Sequence, residues 1–333
     1  MIFYVLLIFL LWHKLGFRLI FNKETLKSKL KQETKMVRFE ENPKTLSIVS
    51  HNLWCHYLVL APQRMERLKI LIDHIEKNKQ KYQLFCFQEL FLMKLGPLML
   101  FKEVEYVIKE MKRLGFYYFT SPFESLSESI NLKMQNSGLI TFSKFPILES
   151  NFYPFISTGE NVNNKGFQFI KLKVGNKQVH IINAHLDGSG SHRMKQVDQI
   201  SDYMKEKGHY IAVGDFNVNS INNKGGEFEY LEKKMKTKDQ SNIFFPEKKT
   251  FRTKPSFFLM FFKQLLGSYP QLQWPSKELE DKISNPNLNL DHCFVSDSFV
   301  VKICERLDIR DELLPLSDHF GLHLVLDFVL EKN

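Results

Sequence analysis

The sequence predicts an α/β domain in which two stacked β-sheets are covered on their outer faces by helices. Its 333 residues are 44% apolar and 25% charged, a balance that excludes the disordered, collagen-like and multi-span membrane classes. From Leu46 onward, short β-rich runs alternate with amphipathic helical stretches, which is typical of layered α/β folds. The runs typical of strands outnumber the helical stretches, and this favours two packed sheets over one doubly wound sheet.

Hydrophobic spacing predicts where the individual elements lie. A first helix is predicted after Gln63 and another around Met194, because apolar side chains recur there every three to four residues. Between them, a helix that carries apolar residues from Leu100 to Leu114 ends at Gly115. Strands are predicted where β-branched and aromatic residues cluster, at 46–54, 84–88, 116–121, 137–142, 166–174, 179–185, 209–216, 290–296 and 321–328.

The first 22 residues differ in composition from the rest of the chain. Met1 to Trp12 is an uninterrupted apolar run, and a second run ends at Phe21. A signal peptide would have a basic start and a small-residue cleavage site, so their lack here predicts a retained hydrophobic leader or membrane anchor over 1–22. The basic linker that follows, 23–45, would place the rest of the chain in the cytoplasm. Cleavage of 1–22 and secretion is the alternative.

Charge and cysteine usage agree with that placement. The net charge of +9 favours phosphate-bearing or anionic-membrane partners without choosing between them. The four cysteines show no CxxC spacing, so they are expected to be reduced core residues and not zinc ligands or disulfides.

Polar side chains close many of the predicted strands. A lone polar residue at a strand end is more often a cap or turn residue, but six coincident instances favour a site, since strand ends are where sites are assembled. Oxygen donors without paired thiols favour Mg²⁺ over zinc, and histidines beside acids supply a base for phosphoester hydrolysis. The candidate residues are Asn52, Glu89, His185, Asp215, Asn217, Asp291, Asp318 and His319.

These motifs, taken in order, resemble the endonuclease/exonuclease/phosphatase (DNase I-like) superfamily. The resemblance covers about 46–328 and implies a catalytic domain over 46–330, folded as a four-layer sandwich of two packed mixed β-sheets flanked by helices. It also implies Mg²⁺-dependent cleavage of phosphodiesters or phosphomonoesters. The motifs that carry it are Gln88-Glu89, Gly214-Asp215-Phe216-Asn217, Leu290-Asp291-His292 and Ser317-Asp318-His319, together with Asn52.

The resemblance implies how metal and water are handled. Glu89 is expected to be the principal Mg²⁺ ligand, with Asn52 beside it. His319 is expected to be the general base that deprotonates the attacking water. Asp291 would orient that imidazole, and Asp318 would lie near both metal and base.

On the phosphate side, the resemblance assigns the remaining polar residues. Asp215 and Asn217 would position water and phosphoryl oxygens, and His185 would donate to the charge that develops on phosphorus. Lys165, which follows Glu160 by five positions, is either a phosphate contact or a solvated lysine.

Two further segments look like the neutral sphingomyelinase branch, which implies hydrolysis of sphingomyelin to ceramide and phosphocholine. They are 136–147, which contains Asn136-Ser137-Gly138, and Asn164-Lys165-Gly166-Phe167. The Trp-Cys-Asp-Arg core of inositol polyphosphate 5-phosphatases is missing before His292, and no stripe of basic and stacking residues indicates a nuclease. A nuclease or phosphoinositide phosphatase with the same metal site is the alternative, and a binding module with a relic site is disfavoured.

Two segments predict contact with a lipid surface. The basic cluster 233–238 is either a solvated helix end or an anionic-lipid contact, and the aromatic stretch 255–274 is either an interfacial patch or an extra core helix. The expected partners are therefore a phospholipid substrate in a membrane and an anionic lipid surface. Nucleic acid is disfavoured, and no protein partner is indicated.

Overall fold

The structure, a computed structural model, describes residues 18–19, 43–57, 61, 63–95, 98–123, 133–160, 162–188, 190–204, 210–221, 226–246, 249–251, 288–311 and 314–329. Apart from 18–19, the leader 1–22 lies outside the described residues, as do most of the linker 23–45 and the aromatic stretch 255–274. The domain boundaries therefore stay a prediction.

The elements follow the predicted order, with ends shifted by a few residues. The strands are β1 (Arg18–Leu19), β2 (Thr45–Asn52), β3 (Leu84–Gln88), β4 (Met93–Leu95), β5 (Leu98–Leu100), β6 (Tyr118–Phe119), β7 (Ile140–Ser143), β8 (Ile147–Pro154), β9 (Gly166–Val174), β10 (Lys177–His185), β11 (Tyr210–Asp215), β12 (Asp291–Val295), β13 (Phe299–Leu307) and β14 (Gly321–Phe328). The helices are α1 (Arg64–Asn78), α2 (Lys102–Arg113), α3 (Gly190–Met204), α4 (Glu227–Met235) and α5 (Gln240–Phe244).

Two mixed sheets form the centre of the fold. The six-stranded sheet has the order β13-β14-β2-β3-β7-β6, in which β2 and β3 are parallel and the other neighbours are antiparallel. The five-stranded sheet has the order β12-β11-β10-β9-β8, in which β10 and β11 are the parallel pair. Strands β1, β5 and β4 form a small third sheet.

The alternation of side chains along each strand produces the layers. Ile48 of β2 and Ile181 of β10 both belong to the core between the sheets. Its neighbour Val49 points the other way and packs with Leu68 of α1 and with α2. Helices α3 and α4 cover the outer face of the five-stranded sheet in the same manner. Each fully buried aliphatic side chain contributes about 1.5–3 kcal/mol, so these three cores hold the four layers together and confirm the predicted sandwich.

Hydrophobic spacing does not predict the short elements β1, β4, β5 and α5, nor the longer elements β8, β13 and α4. Strands β8 and β13 are edge strands, and much of each is half-buried or exposed. An edge strand of this kind lacks a clear apolar alternation, because neither face is fully covered. Helix α4 has nine residues, too few for a helical period to stand out.

One edge of the sandwich collects the polar strand ends. Strands β2, β3, β10 and β11 end there, and β12 begins there; we call this edge the rim. In the six-stranded sheet Asn52 pairs with Gln88, and in the five-stranded sheet Asp215 pairs with both His185 and Asp291. Asn52 lies four positions after Ile48, which faces the core between the sheets. Residues an even number of positions apart share a strand face, so the Asn52 side chain also points toward the opposite sheet. The rim therefore gathers polar groups from both sheets.

The basic cluster 233–238 lies at the opposite edge. The Tyr210 hydroxyl donates to the Met235 carbonyl, and the Thr237 hydroxyl donates to the Val295 carbonyl at 3.0 Å. Tyr210 begins β11 and Val295 ends β12, whereas the rim lies at the other end of both strands. A six-residue strand is roughly 17–20 Å long, so the cluster is remote from the rim. This location favours the solvated helix end over a lipid contact that serves the site.

The predicted membrane-anchored localisation, with a cytoplasmic catalytic domain, is wrong. Among the residues that the structure describes, no helix is long and apolar enough to cross a membrane. Within the predicted anchor, Arg18–Leu19 form an extended strand that pairs with Met99 and Leu98 of β5. Backbone that is paired in a sheet is not part of a spanning helix, so these two residues do not belong to one.

Candidate active site

Asn52 joins the two sheets at the rim. Its Nδ2 donates to Glu89 Oε1 at 2.9 Å and to Asp215 Oδ2 at 3.0 Å, and its side chain is fully buried. The backbone N–H of Trp54 donates to Asn52 Oδ1 at 3.0 Å, which fixes the oxygen on that side because a backbone N–H can only donate. Asn52 thus lies beside Glu89 as predicted. Its nitrogen bridges the two carboxylates, and its oxygen, the atom expected to face a metal, accepts from Trp54 instead.

The backbone at Glu89 is held in an unusual conformation. Its φ is +55°, in the left-handed region, which is costly for a residue with a Cβ. Gly138 packs directly against it, and a Cβ added at Gly138 would lie 2.9 Å from the Glu89 Cα and 2.8 Å from the Phe91 ring. The Leu90 N–H donates to the Gly138 carbonyl at 3.0 Å. The glycine of the Asn136-Ser137-Gly138 motif is therefore required for the turn that directs the Glu89 carboxylate to the rim.

The Gly214-Asp215-Phe216-Asn217 motif shapes the backbone of the opposite sheet. Gly214 has a φ of +145°, and a Cβ there would lie 2.0 Å from the Ala184 carbonyl oxygen of β10. Asn217 has a φ of +52°, a left-handed conformation that asparagine tolerates. Its N–H donates to Asp215 Oδ1 at 2.9 Å, and its side chain donates to the Leu186 carbonyl at 2.9 Å. In this arrangement Asn217 orients Asp215 and the loop after β10.

His319 and Asp291 form the predicted pair. His319 Nδ1 lies 2.8 Å from Asp291 Oδ2, and its Nε2 lies 3.7 Å from Asp215 Oδ2. Burial lowers the pKa of His319, but the Asp291 and Asp215 carboxylates outweigh it and raise that pKa to about 10. The Thr250 hydroxyl accepts the backbone N–H groups of Leu290 and Asp291, at 2.9 and 3.1 Å, and so fixes the start of β12. The imidazole is therefore fixed by Asp291 and directed at the rim.

Lys165 is buried at the rim beside His185, so the solvated alternative for this lysine is wrong. Its Nζ lies 2.7 Å from His185 Nε2, donates to the Leu186 carbonyl at 2.9 Å, and lies 3.2 Å from Glu160 Oε1. An ammonium group only donates, so His185 Nε2 is the acceptor of that bond. Burial, followed by the Lys165 charge, lowers the pKa of His185 well below its ordinary value. In this arrangement Lys165 Nζ is the donor and the neutral His185 ring accepts at Nε2, and the role predicted for His185 toward phosphate stays a prediction.

The donor set fits a divalent cation. Glu89, His185 and Asp215 offer ligand atoms within 4.8 Å of one another, and Asp215 also belongs to a second such group with Asp291 and His319. Burial raises the pKa of Glu89, and the Asp318 carboxylate raises it further. The described residues thus supply too little positive charge to balance the carboxylates at this end of the rim. A bound cation would supply the missing positive charge.

A buried row of polar side chains lies just beneath the site, between the sheets. Gln88 Nε2 donates to Asn183 Oδ1 across the sandwich at 2.8 Å, and Asn183 Nδ2 donates to the Thr141 hydroxyl at 3.3 Å. Gln168 accepts from the same hydroxyl at 3.3 Å. We call these four residues the polar seam. Sequence reasoning missed Asn183 and Gln168 as site-supporting residues, although Asn183 precedes His185 by the two positions that place both on one strand face.

His292, the last residue of the Leu290-Asp291-His292 motif, is a packing histidine. Its side chain is fully buried, with Nδ1 2.9 Å from Asp239 Oδ2 and Nε2 2.6 Å from the Val218 carbonyl. Burial lowers the pKa of His292, but Asp239 outweighs it, so the net pKa is raised. The pair links β12 to α5 and to the segment after β11, away from the rim carboxylates.

Comparisons of sequence give partial matches. No protein-family model matches the chain. A stretch of 127 residues is 31% identical to sphingomyelinase C of Bacillus cereus and covers 33% of this chain and 34% of that protein. A stretch of 102 residues is 33% identical to phospholipase C of Staphylococcus aureus and covers 26% of this chain and 31% of that protein. The matches thus span about a third of the length of the curated relatives.

Comparisons of structure extend over most of the chain. An endonuclease/exonuclease/phosphatase family protein from Leptotrichia buccalis superposes with a TM-score of 0.58 at 15% identity, over 85% of this chain and 100% of that chain. Beta toxin from Staphylococcus aureus, with bound magnesium ions, gives 0.55 at 21% identity, over 84% and 98%. At such identities the likeness concerns the fold. The predicted resemblance is confirmed: the chain has the DNase I-like fold of the endonuclease/exonuclease/phosphatase superfamily, and its sequence similarity lies in the sphingomyelinase branch.

Proposed function

We propose that the chain is a Mg²⁺-dependent phosphodiesterase that hydrolyses sphingomyelin to ceramide and phosphocholine. The observation that carries the proposal is the His319–Asp291 pair, whose second ring nitrogen faces Asp215, the carboxylate that also lies with Glu89. A base and a group of oxygen donors therefore face one space, which is what phosphoester hydrolysis requires. The partial matches to sphingomyelinase C and phospholipase C support a phospholipid as the substrate.

Mg²⁺ is the proposed cofactor because the remaining donors are carboxylate oxygens, since His185 Nε2 already accepts from Lys165. Glu89 and Asp215 would hold the ion, and Asn52 would keep the two carboxylates aligned through its Nδ2. Mg²⁺ in proteins is usually bound by one or two carboxylates and keeps other positions for water and phosphate. The magnesium ions bound in beta toxin, which shares the fold, support this choice. When bound, Mg²⁺ neutralises phosphoryl charge and stabilises the leaving alkoxide.

His319 would act as the general base. Its Nδ1–H donates to Asp291, which leaves Nε2 to accept a proton from the attacking water. The ring must be neutral for this step, whereas the surrounding carboxylates raise its pKa to about 10. Positive charge beside Asp215 opposes that effect and lowers the pKa toward neutrality. The base and the cation site are therefore coupled through Asp215.

Lys165 would stabilise the charge that develops on the phosphoryl oxygens. Two of its N–H directions are occupied by His185 and the Leu186 carbonyl, and the third faces Glu160, whose side chain is 35% exposed. A phosphoryl oxygen would take the place of Glu160 on that third N–H. One charge-stabilising contact of this kind is typically worth about 2.7–4 kcal/mol of barrier.

The deciding experiment compares three activities of the purified chain, each with and without Mg²⁺. Phosphocholine release from mixed micelles of sphingomyelin is measured beside plasmid nicking and the release of inorganic phosphate from a phosphoinositide. We expect Mg²⁺-dependent phosphocholine release. Nicking without phosphocholine release would reject the proposal and assign a nuclease, and release of inorganic phosphate alone would assign a phosphatase.

A pair of histidine variants tests the base. His319→Gln should lower kcat by about 10²–10⁴-fold, the usual worth of a general base. His323→Gln is the matched control, because His323 is also buried and bonded to a carboxylate, Glu305 at 2.8 Å, but lies along β14 away from the rim. Equal activity of the two variants would remove His319 from the mechanism.

A further inference from the structure

Arg67 is a fully buried arginine close to the rim. It lies on α1 in the stripe that also contains Leu71 and Ile75, one and two helical turns later. A charged side chain is almost never fully buried unless its polar groups are bonded, because the desolvation of an unpaired charge is very costly. The location of these bonds therefore indicates what the residue does.

We propose that Arg67 is a positioning residue that sets the separation between the metal-binding side and the base side of the site. Its Nη1 donates to the Leu53 carbonyl at 2.8 Å and to the Leu316 carbonyl at 2.6 Å, and its Nη2 donates to the Trp54 carbonyl at 2.7 Å. Leu53 and Trp54 directly follow β2, and Leu316 lies three residues before His319. One guanidinium thus ties together the segment that follows Asn52 and the segment that leads to His319.

The metal-binding half depends on Arg67 through a chain of hydrogen bonds. Trp54 has a left-handed φ of +47°, a conformation that a bulky residue keeps only where its surroundings hold it. Arg67 donates to the Trp54 carbonyl, and the Trp54 N–H donates to Asn52 Oδ1 at 3.0 Å. Asn52 in turn donates to Glu89 and Asp215. The turn at Trp54 therefore transmits the position of Arg67 to both proposed Mg²⁺ ligands.

The base half depends on Arg67 through Leu316. The Leu316 N–H donates to the Ile309 carbonyl at 2.8 Å, so this segment is held on one side by Ile309 and on the other by Arg67. The next residue, Ser317, accepts the His319 N–H on its hydroxyl at 3.2 Å. A shift of the Leu316 carbonyl would therefore move the imidazole relative to Asp215.

The planar fork of arginine is needed for this task. Three carbonyls in two segments require donors spread over two nitrogens, and a lysine ammonium is a single point at the end of a flexible chain. Arg64, one turn earlier on α1, provides the matched control. It is also nearly buried, at 14% exposure, but its Nε pairs with Glu103 Oε1 at 3.0 Å and its guanidinium lies over the Tyr57 ring. Neither Glu103 nor Tyr57 is one of the candidate site residues.

The experiment compares Arg67→Lys, Arg67→Met and Arg64→Lys in the full chain. Mg²⁺ affinity is measured by titration calorimetry in the absence of substrate, and kcat and KM are measured by phosphocholine release. We expect both Arg67 variants to bind Mg²⁺ at least tenfold more weakly, within the 10–100-fold range for residues that orient ligands. We expect kcat to fall while KM changes less than twofold, and Arg64→Lys to keep all three values within twofold of the parent chain.

Melting temperatures separate this role from a purely structural one. If Arg67→Lys lowers the melting temperature but keeps the Mg²⁺ affinity and kcat of Arg64→Lys, Arg67 is only a core residue and the proposal fails. If neither Arg67 variant folds, the residue belongs to folding and the proposal likewise fails. The inference rests on the proposed function for its kcat measurement alone. A parent chain that binds Mg²⁺ and releases no phosphocholine would overturn the proposed function, while calorimetry would still decide the role of Arg67.

Discussion

The left-handed turn at Glu89 gives a quantitative prediction for Gly138→Ala. Two effects add at this position. The φ of Gly138 is +71°, where a Cβ costs about 1–2 kcal/mol. The new Cβ would also lie 2.9 Å from the Glu89 Cα, whereas ordinary contact begins at 3.4 Å, so the backbone of Glu89 must retreat by about 0.5 Å, the difference between the two. Because a misplacement of about 1 Å can cost roughly 10²-fold in rate, a shift of half that size should lower kcat about tenfold.

Gly115→Ala separates the two effects. Gly115 has a φ of +95°, but a Cβ there meets nothing within 4 Å. This control should lose about 1–2 kcal/mol of unfolding free energy in urea and keep its Mg²⁺ affinity and kcat. Gly138→Ala should lose at least as much stability and also bind Mg²⁺ more weakly in calorimetry. If Gly138→Ala matches Gly115→Ala in both affinity and kcat, the reasoning that Gly138 places the Glu89 carboxylate is refuted.

Three further perturbations test the site. The Asp291 carboxylate helps to raise the pKa of His319 from its ordinary 6.5 to about 10. The pair therefore stabilises the metal-free fold fully below pH 6.5 and loses this contribution as the pH rises through 10. In urea unfolding, the stability that Asp291→Asn loses relative to the parent chain should shrink over that interval, and a constant loss would contradict the reasoning. Lys165→Met should lower kcat by about 10²–10³-fold and raise the pKa of His185, visible in its ring NMR shifts, because a neighbouring positive charge is removed. Asn183→Leu should cost about 1–3 kcal/mol of unfolding free energy, since it removes buried hydrogen bonds to Gln88, to the Phe87 carbonyl and to Thr141; an unchanged urea midpoint would deny the polar seam a role in stability.

The architecture and the members of the site could be predicted because both depend on the regular spacing of apolar and polar residues along single elements. Alternation along β2 separates Ile48 from Val49, and it carries Asn52 to the face between the sheets. The glycine of the Asp215 motif is readable for the same local reason, because a close approach between neighbouring strands excludes any Cβ at Gly214. Polar residues at the ends of such strands are brought together by sheet geometry alone.

The orientation of individual groups could not be predicted, because it depends on contacts distant in sequence. Asn52 was expected to offer its oxygen, but the Trp54 N–H takes that oxygen and turns the amide nitrogen to the acids. Lys165 is buried only because the Leu186 carbonyl and His185 lie beside it on a different strand end. Arg67 gave a weak signal, since it occupies the apolar stripe of α1, but its three carbonyl partners come from two remote segments.

The polar seam limits which substitutions the cleft between the two sheets tolerates. Apolar contacts between two sheets have no preferred direction, so a change of side-chain volume in that core opens or closes the sandwich while the strands keep their alignment. Hydrogen bonds such as that from Gln88 to Asn183 are directional, and they resist sliding of one sheet along the other. Ligands drawn from both sheets stay opposed for as long as that sliding is prevented. Variants that enlarge the cleft for bulkier substrates should therefore be sought among the neighbouring apolar residues, with the three amides and the one hydroxyl of the polar seam left intact.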